Sequence, residues 1–131
     1  MALQLSDTVR NAMLDAFETA TGTAPTLTIR TGAAPANCAA ADSGTVLATI
    51  TLPTDWMSAA SGGVKALLGT WQDTSADATG TAAHFRIKQG ATCHAQGTVG
   101  TSGADMIVDS TSFTTGQSFS VTAFSLTAPN P

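Results

Sequence analysis

The sequence predicts a mainly β protein, an antiparallel β-sandwich or jelly roll with one N-terminal α-helix. Three observations point there. Short β-branched or alternating runs recur at a spacing of about 8–12 residues with turn-forming residues between them, enough for roughly seven or eight strands in two layers. Apolar residues make up 43% of the chain and charged residues only 11%. Thr, Ser, Ala and Gly fill the difference, a composition that suits pleated, half-buried surfaces and lacks the high charge of a disordered chain. Only one stretch carries a helical period, and it stands at the start.

At 131 residues the chain reads as a single domain, residues 1–131, with the helix over 5–21 and the β-sandwich over 25–128. A domain of this length buries roughly two-thirds of the surface of its unfolded chain, enough for a core without staples.

The helix is read from LSDTVRNAMLDAFETAT. Ser6 is a good N-cap, Asp7 places a negative charge in the first turn, and Gly22 suits the stop. Leu5, Val9, Met13 and Phe17 fall four apart with Ala12, Ala16 and Ala20 beside them, forming one apolar stripe. The stripe is expected to lie on the sheet of its own domain; the competing reading docks it on a partner subunit.

Leu27–Thr31 alternates as a strand, and residues 32–44 form a long loop with almost no large side chain. Val46–Leu52 follows, with Val46, Ala48, Ile50 and Leu52 on one face and Leu47 among the threonines of the other. Pro53 ends that run, and Trp56 and Met57 supply a hydrophobic anchor. Leu67, Leu68 and Trp71, within a less regular run over 64–71, also need burial. A polar connection leads to the strand of Phe85 and Ile87, alternating with Arg86 and Lys88, and Thr92–Val99 returns as its hairpin partner. Met106–Val108 is a short strand. In the last strand Phe119, Val121 and Ala123 share one face while Phe124 and Leu126 share the other, which requires a bulge or a crossing between sheets.

Several chemistries are disfavoured. The net charge is −4, and Arg10, Arg30, Lys65, Arg86 and Lys88 are scattered, which fits no nucleic-acid footprint. No apolar run approaches the roughly 20 residues of a membrane span, and MALQLSDTVR is not expected to act as a signal peptide, so synthesis in a cytoplasm is expected. Cys38 and Cys93 pair only if the Cys38 loop lies over the Cys93 strand; reduced, partly buried thiols are the favoured reading. His84 and His94, with those cysteines, supply zinc-ligand types, but neighbouring strand residues point to opposite faces, so both histidines read as ordinary and partly exposed. No nucleophile elbow, phosphate loop or selected carboxylate pair occurs, so neither catalysis nor a cofactor is expected. Trp56 or Trp71 offers a platform for a sugar ring, although burial is the commoner fate of tryptophan.

LSDTVRNAMLDAFETA, then LTIRTGAAPANCAAADSGTVLATITLP with DWM after it, and later GTAAHFRIK, resemble small virion proteins of tailed double-stranded DNA phages and prophages, in particular their capsid decoration, or cement, proteins. The resemblance runs over most of the chain and brings no catalytic motif. It implies a structural protein on the capsid exterior that binds across subunits of the major capsid protein, as a dimer or trimer of itself. The alternative it leaves open is a tail or tail-fibre component, with receptor or glycan binding as a further reading. The interface candidates are Val9, Met13, Phe17, Trp56, Met57, Leu68 and Trp71.

Overall fold

The computed structural model describes residues 3–129. Its elements are α1 (Asp7–Thr21), β1 (Thr26–Arg30), β2 (Val46–Thr51), β3 (Val64–Ala66), β4 (Gln72–Asp73), β5 (Gly80–Thr81), β6 (His84–Gln89), β7 (Thr92–Gly100), β8 (Met106–Val108), β9 (Ser112–Phe113) and β10 (Phe119–Thr127). The fold is mainly β, a curled sheet with one N-terminal helix and a sandwich-like build. Strands run in the order β2-β1-β6-β7-β8-β10-β3, with β4 also on β10 and a separate pair β5-β9. All pairs are antiparallel except β7 with β8, which touch over two residue pairs. The expected irregularity in the last strand is a register shift between Val121 and Ala123 against β8. Along its length this strand pairs with β4, β8 and β3.

Period-two alternation divides β1 and β6 into two unlike faces. Leu27, Ile29, Phe85 and Ile87 point into the core. There a line of ring contacts runs from Phe17 through Trp56, Trp71 and Phe124 to Phe85, each 5.6–6.0 Å from the next. The opposite face carries Thr28, Arg30, His84 and Arg86, and it too is buried. The loop over residues 32–44 lies flat on it.

That loop overturns three sequence expectations. Cys38 and Cys93 form a disulfide with Cα atoms 5.2 Å apart, so the thiols are not free. Cations that look scattered along the sequence converge: Asp42 takes an ion pair from Arg86 at 2.6 Å, from Lys88 at 2.6 Å and from Arg30 at 3.2 Å. His84 is fully buried rather than partly exposed; its Nδ1 lies 2.7 Å from the Gly32 carbonyl oxygen, while its Nε2 has no partner among the described residues. His94 is half-buried. The physical reason is shared. A loop of alanines cannot be held by apolar packing, so polar groups and a covalent bond hold it, and these must come from the sheet beneath.

Leu47, on the threonine face of β2, is also covered. Asp77 N–H donates to its carbonyl at 2.7 Å, and Gly80 sits so close to its side chain that an added Cβ would lie 3.1 Å away.

Candidate interaction surface

The helix is seated by its polar side. A 3.6-residue period puts Arg10, Asn11, Leu14, Glu18 and Thr21 on one side of α1 and Val9, Met13, Ala16 and Ala20 on the other. The first set meets the domain. Leu14 and Thr21 are buried, and of the apolar stripe only Phe17, at its flank, packs on the core, against Trp56. The expectation that Leu5, Val9, Met13 and Phe17 together cover the sheet is therefore corrected.

Polar contacts carry the docking. The buried Lys65 ammonium reaches Asp15 at 2.8 Å, Glu18 at 2.9 Å and the Ser58 carbonyl at 2.9 Å, which satisfies its three donors. Burial disfavours the charge on Lys65, but the hydrogen bonds it donates to Asp15 and Glu18 outweigh this and hold the ammonium pKa above its usual value. The same pairing lowers that of Asp15, helped by the Ala60 amide. Glu18 also accepts from Met57 N–H at 3.2 Å, and Asn11 accepts from Gly63 N–H at 2.9 Å. Arg10 donates to the Ala128 carbonyl at 2.9 and 3.3 Å, tying the helix to the chain just past β10. Gly63 has a φ of 75°, and a side chain there would collide with the Arg10 guanidinium.

The apolar side of the helix is left to solvent. Val9 is 46% exposed and Met13 50%, and Ala12, Ala16 and Ala20 are exposed beside them. The described residues contain five exposed large hydrophobics: Leu3, Val9, Met13, Val64 and Leu68. All five belong to the helix, its lead-in, or β3 and the residues just after it, the segment on which the helix packs. Scattered apolar residues need no explanation, but Val9 and Met13, one turn apart and flanked by three exposed alanines, form an apolar strip along the outer side of α1.

The seven interface candidates thus divide. Val9, Met13 and Leu68 lie on the surface. Phe17 is half-buried at its edge. Trp56, Met57 and Trp71 are in the core with at most 1% of their surface exposed. Trp56 Nε1 donates to the Gly22 carbonyl at 3.0 Å and Trp71 Nε1 to that of Leu68 at 3.2 Å. Neither ring offers a face to a partner or a sugar. Sequence reasoning passed over Lys65 and Asp42. A signal existed for each: Asp15 and Glu18 stand three apart on one helix face without a helical cation to match, and Asp42 is the sole acid in a small-residue loop.

Two open clefts flank this architecture. One, of about 450 Å³, lies at the helix C-terminus between Glu18, Gly22, Thr54 and Asp55. The other, of the same size, opens over the Phe85–Phe124 pair with Asp105 at its rim. Asp105 is already engaged by the Thr98 amide and hydroxyl. Among the described residues no three of His, Cys, Asp and Glu stand together as metal ligands, and no helix is long and apolar enough to cross a membrane. Comparison with protein-family models, with curated proteins and with solved structures finds no match to this chain.

Proposed function

We propose that this protein is a structural component of a phage virion, one that decorates the capsid and stabilises it by binding across neighbouring major capsid protein subunits. The observation that carries the reading is the inverted helix: its polar face is committed to its own domain, and its apolar face is presented outward. An element of this kind spends its hydrophobic surface on association and not on folding. The resemblance of the sequence to decoration proteins supplies the partner.

Such a protein acts through binding energy alone. Each copy hides surface shared by adjacent capsomers, so a shell that expands or ruptures loses those contacts. Many weak copies acting together supply avidity. The buried ion pairs and the disulfide favour a rigid module, which loses little freedom when it docks.

The test is to produce particles with and without this gene product and to measure heat-induced DNA release. Particles lacking it are expected to release DNA at lower temperature, and adding purified protein back is expected to restore the original value. Equal release temperatures, or failure of the protein to sediment with the shells, would refute the proposal. Immunogold counts of a few copies at one vertex or on the tail would move the protein from the capsid to the tail.

A further inference from the structure

We infer that the sheet holds a strand-wide slot between β7 and β10, which takes an extended peptide segment of another protein by backbone pairing. The inference stands on the sheet and does not depend on the virion reading. Under that reading the segment belongs to a shell protein.

The slot begins where β8 ends. Met106 pairs with Val99 of β7 on one side and with Phe124 of β10 on the other. Two strand spacings, about 9.6 Å, therefore separate β7 from β10 at that level. Before Met106 the chain leaves the sheet, and no described strand takes its place. Residues 92–98 of β7 keep β6 as their one partner strand among the described residues, and residues 125–127 of β10 keep β3. The cleft of about 450 Å³ over Phe85 and Phe124 lies here, with Ala95 and Gln96 on one wall and Ser125 and Leu126 on the other.

Alternation tells which backbone groups line the slot. In β7 the Val99 amide donates to Ala83, on the β6 side, while the Thr98 amide turns away to Asp105. The Gln96 amide and carbonyl share the Thr98 direction and so face the slot. In β10 the Phe124 carbonyl accepts from Leu67 and the Ala128 amide donates to Gly63, both on the β3 side. Ser125 and Thr127 therefore turn their amides and carbonyls into the slot. Facing rows of donors and acceptors at this separation match an extended backbone.

The strand β8 shows what such a segment carries. Met106 and Val108 are buried, and Ile107 between them is half-buried. A segment continuing that line runs parallel to β7 and antiparallel to β10. It sets one side chain over the Phe85–Phe124 pair and turns the next toward Gln96 and Ser125, so it alternates apolar and polar residues. Asp105 stands at the end where the segment's carboxyl side arrives, which favours an internal segment over a free C-terminal carboxylate. Within this chain the strands are already paired, and the tail after β10 carries Pro129 and Pro131, which lack amides.

The probe is a fluorescein-labelled, carboxyl-amidated peptide of alternating valine and threonine, about six residues long, a typical strand length. It is titrated with the isolated full chain up to about 1 mM and followed by fluorescence anisotropy. Binding is expected, with shifts in the amide NMR signals of Gln96, Ser125 and Thr127 and none along β2, the outer edge of the sheet. The same peptide N-methylated at alternate residues is expected to bind at least about tenfold more weakly, because it lacks the donors for one wall. Ser125→Pro removes a slot-facing amide and spares the β3 ladder, so it is expected to weaken binding by a similar factor. Ser125→Ala keeps that amide and is expected to bind as the native chain does. Circular dichroism checks that both variants fold; if Ser125→Pro does not, the N-methylated peptide decides alone. Absence of binding, equal binding of the N-methylated peptide, or shifts along β2 instead would each overturn the inference. So would self-association of the chain that the peptide reverses, because the slot would then belong to a segment of a second copy. No particle enters this assay, so its outcome is separate from that of the heat-release test.

Discussion

Replacing Asp42 by Asn tests how the long loop is held. Asp42 pairs with Arg30, Arg86 and Lys88, whose side chains are 10%, 2% and 17% exposed. Hydrogen bonds from Lys88 and then Arg86 lower its pKa from 3.8 to about 2, with Arg30 adding Coulombic attraction. That difference corresponds to roughly 2.4 kcal/mol at about 1.4 kcal/mol per pH unit. The carboxylate side chain is 28% exposed, so solvent screening reduces this to about 1.5 kcal/mol. Loss of the counter-charge for the buried Arg86 adds to the cost, giving an expected ~2 kcal/mol for Asp42→Asn at pH 7. The sign follows from the lowered pKa. The unfolded chain takes up its proton near 3.8 and the folded chain only near 2, so the contribution is present above about pH 4 and disappears as pH falls through about 2. Urea unfolding of the native and Asp42→Asn chains at pH 7, 4 and 2, with the disulfide intact, measures it. The two curves are expected to differ at pH 7 and converge at pH 2. A difference that persists at pH 2, or none at pH 7, would refute the account.

The disulfide closes a separation of 55 residues, which in the chain-entropy model stabilises by about 4 kcal/mol. Cys38→Ser combined with Cys93→Ser is expected to lower the urea midpoint by a corresponding amount, and mass spectrometry before and after alkylation checks that the native thiols are blocked. Lys65→Met, by removing the buried ammonium between Asp15 and Glu18, is expected to cost ~2 kcal/mol and to raise amide exchange in α1 before the sheet opens. Trp56→Ala empties a site at the junction of helix and sheet and is expected to cost about 3–5 kcal/mol in thermal or chemical unfolding. Gly44→Ala is expected to destabilise the chain, because Gly44 has a φ of 73° and an added Cβ collides with the Thr31 carbonyl.

The β character, the N-terminal helix and most strand positions are legible because alternation and turn residues are local signals. Ser6, Gly22 and the run from Met106 to Val108 behave as their types suggest. What is not legible is which surface covers which. Arg30, His84 and Arg86 occupy positions that normally face water, and nothing in β1 or β6 announces that a loop of alanines will seal them in. The helix shows the limit most clearly. Its apolar stripe is plain in the sequence, but the usual inference that such a stripe faces its own core fails here. Lys65, Asp15 and Glu18 seat the opposite side through contacts separated by about fifty residues of chain. Period identifies a face and says nothing about its occupant.

The file of aromatic rings through the core also has an optical consequence. The chain has two tryptophans and no tyrosine, and the two indoles stand 6.0 Å apart at an interplanar angle of 40°. Their transitions are close enough to couple, so the near-ultraviolet dichroism carries a signature of the pair that neither indole produces alone. Phe17 abuts one indole from the helix, and Phe124 abuts the other from β10. Detachment of the helix and opening of the sheet thus perturb different members of one chromophore pair, and the protein carries its own label for telling them apart.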